Sequence, residues 1–336
     1  MDEPVLLPPM TSWSGKEDLE SFKHLRRLEN LFGGDHAIVV NTKQIAVQMC
    51  MEVMGSRVHV IPVAMPVTTS METFAGVLYS GAVPVLLDVD TSTQQVRLDL
   101  LQDLLEEGEG AVVLLDRAGG YPVPANVLEA VQDVPTIAVT RCMPTTALDQ
   151  LNLDATFNIF DLSEVTGSGA VIFHKFEMQQ QELRVLRGGP LGHKAWLTED
   201  LCRVAYNRLY LDHHIRERVY NNARSEFEQE LHSLGSSDIL LWSNSRLVGP
   251  LYFQVPDAGK MMQHLAKNGV VSRRTFYPLN TIPEVAGRMP NKDAKYPGAE
   301  MLHKHTLMLP SYYENHAHVS SVVEIMMELV GDKDDS

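Results

Sequence analysis

Basic charge is in deficit: 28 Lys and Arg stand against 43 Asp and Glu, giving a formal net charge of −15 and a sequence pI near 5.3. A surface for nucleic acid needs clustered cations to displace counterions, so the deficit excludes that class of partner. Long apolar runs are also missing. Nothing approaches the roughly 20 residues of a membrane span, and the opening MDEPVLLPPMTSW is acidic where a secretory leader carries basic residues. A cytoplasmic protein with no membrane partner is expected. Cysteine is scarce: Cys50, Cys142 and Cys202 are odd in number, far apart and outside any CxxC spacing. That pattern fits reduced thiols, not a disulfide framework or a zinc site.

The 336 residues, 44% hydrophobic and 21% charged, have ample material for a buried core and the composition of an ordinary globular chain. Apolar runs without polar alternation predict strands buried on both faces at 37–41, 57–63, 83–90, 110–116, 135–140, 155–160 and 169–174. Between them, TKQIAVQMCMEVMG and TTSMETFAGVLYSG place apolar residues at helical spacing and stop at glycine. Alternating strand and helix implies an α/β domain, doubly wound around a mostly parallel seven-stranded sheet. After Gly192 the texture becomes a long polar-amphipathic helix starting at Thr198, a residue suited to cap it. The rest reads as a smaller α+β unit, with a strand at GPLYFQV and helices at AGKMMQHLAKNG and HVSSVVEIMMELVG. The expected division is a large domain over 1–192, a linking helix over 193–235 and a small domain over 236–330.

Several segments then fall into a familiar order. A strand ending near Pro62 leads through a helix to Gly81, Ala82 and Pro84, and then to Asp88 and Asp90. LLDRAGGYP follows in the centre, and NGVVSRRTFYPLNTIPE and YPGAEMLHKHTLMLPSYYE near the end. Over roughly residues 20–330 this resembles the DegT/DnrJ-type sugar aminotransferases, a branch of the fold-type-I enzymes that use pyridoxal phosphate (PLP). The resemblance implies the fold-type-I architecture, a site completed across a dimer, and nucleotide-sugar chemistry.

Carried over position by position, the resemblance also implies departures. The family's Schiff-base lysine follows an aromatic strand and precedes a glycine-rich turn; here that interval is FNIFDLSEVTGSG, with Ser163 in the lysine's place. No lysine occurs from Gln44 to His174, and Lys175 lies beyond the next strand, at the far end of the sheet. The acid under the pyridinium falls at Val139, the stacking aromatic near Met65 or Pro66, and the phosphate-site serine at Asn158. The small-residue phosphate turn becomes NTKQIA, where Thr42 and a helix N-terminus offer an anion site and Lys43 is bulkier than the pattern. The expectation is therefore a degenerate member with its PLP site lost and no cofactor: a scaffold, regulator or partner subunit, paired with itself or with an active paralogue. The alternative is an active enzyme on a nucleotide sugar or other anionic substrate, with Ser163, Glu164 and Asp116 as catalytic candidates.

For an anionic small molecule the ligand candidates are Thr42, Lys43, Asn158, Arg117, Arg273 and Tyr277. Arg117 sits beside Asp116 at a strand's C-terminal end, and Arg273 with Arg274 could grip a diphosphate. Surface-loop and solvated-arginine readings stand beside these. Asp88 and Asp90 read as turn and capping residues before they read as an acid–base pair. His213 with His214, His303 with His305 and His316 with His318 lack an Asp or Cys cluster, so no metal site is expected. The methionines at 49, 51, 54, 261 and 262 read as packing.

Overall fold

The structure is a computed structural model that describes residues 22–107, 111–117, 123–141, 155–174, 177–188, 193, 195–211, 213–242, 250–288, 294–310 and 316–331. Seven strands form one sheet: β1 (Ala37–Val40), β2 (Pro62–Pro66), β3 (Val83–Leu87), β4 (Val112–Arg117), β5 (Thr136–Arg141), β6 (Phe157–Asp161) and β7 (Ala170–His174). Their order is β1-β7-β6-β5-β4-β2-β3, with β7 antiparallel to both of its neighbours and β6, β5, β4, β2 and β3 mutually parallel. The mixed α/β class and the mostly parallel seven-stranded sheet are as the apolar runs imply.

One strand is displaced from its expected place. The run RVHVIPV does not begin a strand at Arg57, because Gly55 turns left-handed (φ 96°) after the preceding helix and the amides of Val58 and His59 both bond back to its carbonyl. The chain becomes extended only at Pro62, which leaves Val58 and Val60 on the surface.

Helices lie on both faces of the sheet. On one side are α1 (Lys23–Leu31), α8 (Glu199–Tyr206) and α9 (His213–Ser233); on the other are α2 (Lys43–Val53) and α3 (Met71–Tyr79). The remaining helices before α8 are α4 (Leu98–Glu107), α5 (Ala125–Ala130), α6 (Ser163–Thr166) and α7 (Glu177–Gly188). Side-chain caps set three helix starts: Thr42 accepts from the Ile45 amide at 3.2 Å, Ser70 from Thr73 at 3.3 Å and Thr198 from Leu201 at 3.4 Å. The helix from Thr198 is not continuous. A π-helical turn at Asn207–Leu211 widens it between α8 and α9, and Arg208 in that turn donates to the Val165 carbonyl at 2.6 Å.

A second, antiparallel sheet has the order β10-β11-β9-β8, from β8 (Leu240–Leu241), β9 (Leu251–Gln254), β10 (Arg273–Arg274) and β11 (Thr306–Leu309). With it come α10 (Ala258–Lys267), α11 (Pro283–Ala286), α12 (Pro297–His305) and α13 (His316–Gly331). One apolar cluster joins Val39, Phe160 and Val171 of the large sheet to Phe227 of α9, Phe253 of β9 and Val323 of α13. The opposite face packs Ile38, Phe157 and Ile159 with α2, α3, Phe276 and Leu302. Among the described residues no helix is long and apolar enough to cross a membrane.

Candidate active site

The parallel strands all point to one sheet edge, and in an open α/β sheet ligands bind outside the C-terminal strand ends. Lys43 opens α2 just after β1, Asp116 lies near the end of β4, Thr69 and Ser70 follow β2, and Asp161 ends β6. These ends converge. The Lys43 ammonium donates to Asp161 Oδ2 at 2.6 Å and lies 3.4 Å from Glu72 Oε2 in the first turn of α3. Asp161 is held on its other side by the backbone N–H of Ser163, at 2.9 Å from Oδ1. Asp116 accepts from the Thr69 hydroxyl, and the Ser70 N–H approaches the same oxygen at 3.4 Å. Lys43 and Asp161 are both buried, with side-chain exposures of 11% and 6%.

Charge follows from that crowding. Burial works against the Lys43 ammonium, but the carboxylates of Asp161, Asp116 and Glu72 prevail and raise its pKa. For Asp161 burial works against the carboxylate, and Lys43 together with the Ser163 hydroxyl and amide overcomes it and lowers the pKa. One ammonium thus faces three carboxylates. Both shifts keep Lys43 an ammonium and Asp161 a carboxylate, so the pair is a fixed ion pair at this edge.

Among the residues singled out in the sequence, Thr42, Lys43, Asp116 and Ser163 meet at this edge. Asn158 is buried in β6, and strand alternation turns it to the sheet face opposite Asp161. Arg117 pairs through its backbone with Thr140, and Glu164 is in α6; their side chains lie outside the described residues, as do Cys142 and the side chains of His213, His214 and His316. Arg273 is exposed on β10, next to Arg274, which donates to the His303 carbonyl at 3.4 Å. Tyr277 is half-exposed with its ring edge-on to His303, centroids 4.7 Å apart. Two residues on, the Leu279 N–H bonds to the Val67 carbonyl at 2.9 Å, which brings this segment to the rim near Thr69.

Asp161, Glu72, Thr69 and Ser70 escaped the sequence reading. For Asp161 the signal was its place as the first polar residue after a strand candidate; for the others it was their position in the β2–α3 turn.

Other candidates resolve into structural roles. Asp88 accepts the N–H groups of Gly298 at 2.9 Å and Ala299 at 3.0 Å, and Asp90 accepts those of Ser92 and Thr93, each at 2.9 Å. Both are capping groups, as their positions suggest. A pocket of about 470 Å³ opens over this loop, lined by Asp88, Asp90, Arg97, Asp99 and Asn126. It is separate from the Lys43 cluster, and its carboxylates are engaged by backbone amides or by Arg97. His303 and His305 sit at the end of α12, not on a strand, with Nδ1 atoms at 3.0 Å and 3.1 Å from the Thr275 and Val255 carbonyls. Among the described residues no group of three or more His, Cys, Asp or Glu is arranged to hold a metal.

Residues 13–139 match the model of the DegT/DnrJ/EryC1/StrS aminotransferase family. No curated protein matches the sequence. Among solved structures, Spr1654 of Streptococcus pneumoniae, described as a sugar aminotransferase and solved in its PLP form, is 15% identical with a TM-score of 0.74, over 91% of this chain and 90% of that one. The sugar aminotransferase CalS13 of Micromonospora echinospora is 15% identical with a TM-score of 0.71, over 90% of each chain. GDP-4-keto-6-deoxymannose-3-dehydratase, with a trapped PLP-glutamate geminal diamine, is 11% identical with a TM-score of 0.71, over 90% of this chain and 92% of that one. At these identities the likeness establishes the fold-type-I aminotransferase architecture.

The comparisons correct the cofactor expectation. The sequence argued for no cofactor from Ser163, Val139, Met65 or Pro66 and Asn158 taken together, whereas the DegT/DnrJ/EryC1/StrS match is to aminotransferases and structural neighbours are solved in PLP and PMP forms. The expectation rested on positions aligned one by one, and low identity leaves such an alignment without a fixed register. The lysine-free interval begins at Gln44, one residue after Lys43, which pairs with Asp161.

Proposed function

We infer that this chain is an enzyme of the sugar aminotransferase type that acts at the C-terminal strand edge on an anionic, phosphate-bearing sugar substrate, with PLP as its cofactor. The observation that carries this reading is the buried Lys43–Asp161 pair at that edge. Two features fit the cofactor: a primary amine at Lys43, and the N-terminus of α2 capped by Thr42, where backbone N–H groups and the helix dipole favour a phosphate. When bound, PLP supplies a carbonyl that accepts amino groups and a ring that withdraws electrons. Val139 departs from the family pattern: it is buried and apolar on β5, where the resemblance implies an acid. The ring would therefore rest on Lys43, Asp161 and Asp116 for its polar partners.

In this reading Asp161 holds and orients the Lys43 ammonium, Asp116 keeps Thr69 and Ser70 in place, and Tyr277 stands at the mouth. Pairing with itself or with a paralogue belongs to the same reading, in the cytoplasm and with the division into three parts at 192 and 235. The exposed apolar side chains of Val58, Val60 and Tyr79 supply surface for the pairing. Titration of the purified chain with PLP, followed by absorbance after desalting, tests the reading directly. Retained PLP and a melting temperature raised further by a nucleotide sugar support it. Absence of both effects overturns it.

A further inference from the structure

We propose that the corner where β10, the start of α10 and the end of α12 meet is a binding site for a phosphate dianion, gripped by Arg274, Lys260 and Lys304. The site is separate from the Lys43 edge and does not depend on the reading above.

The register of the small sheet places these groups together. Arg274 stands opposite Leu307, and Leu307 opposite Phe253, so the three share one face. That face packs with Ala258, Met261 and Leu265 of α10. Arg273 stands opposite Met308, which packs with the other apolar cluster, so the two neighbouring arginines lie on opposite faces and do not act as a pair. One Nη of Arg274 donates to the His303 carbonyl at 3.4 Å, near the end of α12. A Cβ placed on Gly259 would fall 3.8 Å from the other Nη and 3.3 Å from Asp257 Oδ1, so glycine in the first turn of α10 leaves open the gap between carboxylate and guanidinium. Lys260 follows Gly259 and Lys304 follows His303, and both are exposed. Asp257 is held below the usual carboxylate range by the Lys260 amide first, then by the Gly259 amide and the charges of Lys260 and Lys304.

Charge sets this corner apart. The chain carries 28 basic against 43 acidic residues, and elsewhere its cations find carboxylates, as Arg57 does at Glu52 (2.6 Å), Arg184 at Asp35 (3.2 Å) and Arg203 at Asp200 (3.1 Å). Arg274, Lys260 and Lys304 make no ion pair among the described residues. Asp257, the carboxylate set among them, is spent on capping α10, where it accepts the Lys260 N–H at 2.9 Å. Three positive charges against one negative leave a surplus of two, which a phosphate group of charge about −2 at neutral pH neutralises. The donors fit its oxygens as well: a guanidinium fork takes them in pairs, and each ammonium takes them singly. All three cations are exposed, so a free ligand reaches them without rearrangement.

The test is isothermal titration of the full chain with inorganic phosphate, with glucose 1-phosphate as a phosphomonoester and with acetate as the monoanion control. Saturable binding is expected for both phosphates and not for acetate. Arg274→Ala and Lys304→Ala should each weaken phosphate about tenfold, the usual cost of one charge-assisted hydrogen bond. Arg273→Ala, on the other face, should leave the affinity unchanged. Asp257→Asn keeps a side chain suited to cap α10 and removes the opposing charge, so binding should tighten several-fold. A carboxylate with a purely structural role predicts no such gain. Circular dichroism confirms that each variant is folded. Tighter binding of glucose 1-phosphate than of inorganic phosphate assigns the ligand to a phosphorylated small molecule, and equal binding assigns recognition to the phosphate group alone; both support the site. Absence of saturable binding, or a phosphate affinity unchanged in Arg274→Ala, overturns the proposal and leaves the reading of the Lys43 edge standing.

Discussion

Two buried ion pairs lie at different places on the same sheet, and they are finished differently. Glu29 and Arg187 meet at 2.6 Å with side-chain exposures of 2% and 4%. Backbone and ring groups wrap that pair: Glu29 also accepts the Val39 N–H at 3.3 Å, Arg187 also donates to the Val39 carbonyl at 3.0 Å, and the guanidinium lies 4.1 Å from the Trp196 ring centroid, with the buried Arg187 Nε left without a partner among the described residues. The pair ties α1 and α7 to β1. Lys43 and Asp161 are nearly as buried, yet further carboxylates stand around the ammonium, and a single backbone group, the Ser163 N–H, depends on Asp161. The first pair completes the fold's own hydrogen bonding. The second leaves an excess of negative charge at the C-terminal strand edge, where open α/β sheets bind their ligands.

Breaking the first pair gives the largest expected effect. Glu29→Ala strands a buried guanidinium and the Val39 amide, and should cost about 3–5 kcal/mol, read as a fall in the urea midpoint. Apolar replacement of both partners sharpens the contrast. Lys43→Met with Asp161→Leu should lose only about 1 kcal/mol, since apolar groups replace a buried ion pair at little cost and the Ser163 N–H alone loses its acceptor. Glu29→Leu with Arg187→Met should still lose about 2 kcal/mol, because the Val39 N–H and C=O remain without partners. Equal losses in the two double variants would abolish the distinction.

The pH dependence comes next in size. Asp161 has its pKa lowered, so its contribution is present above the unfolded value of about 3.9 and is lost as pH falls through the lower folded value. Lys43 has its pKa raised, so its contribution is present below about 10.4 and is lost as pH rises through the higher folded value. The melting-temperature difference between wild type and the Lys43→Met, Asp161→Leu variant should therefore be flat through neutral pH and change at both extremes. The smallest effect concerns the thiols. Burial, followed by the charges of Glu199 and Glu29, pushes Cys202 up to about 12, and burial raises Cys50 well above its usual value. Disulfide-reagent labelling near pH 8 should spare both in the folded chain and proceed only on unfolding.

Much of the fold could be read because its signals are local. Val-rich and Ile-rich runs buried on both faces marked all seven strands of the large sheet, and Thr42 and Thr198 marked helix starts. The misplaced start of β2 came from Val58 and Val60, whose apolar character imitates a strand but which a left-handed Gly55 sets in a turn. The site was legible only in pieces. Lys43 and Asp116 stood out individually, but the bond that defines the cleft joins residues 118 apart, and no local pattern encodes such a distance. Reading each position against a family pattern also directed attention to Ser163 and away from the lysine two strands over in the sheet.

The Asp88 cap carries a consequence for how the molecule comes apart. Its two bonds to the start of α12 span 210 and 211 residues, and Gly298 sits so close to β3's end that an added Cβ would fall 2.0 Å from the Val89 carbonyl. Detaching the C-terminal segment would leave a carboxylate that is now buried without its two donors. Loss of that segment and loss of the large sheet's edge are thus a single event, and calorimetry should record one cooperative melting transition for the whole chain.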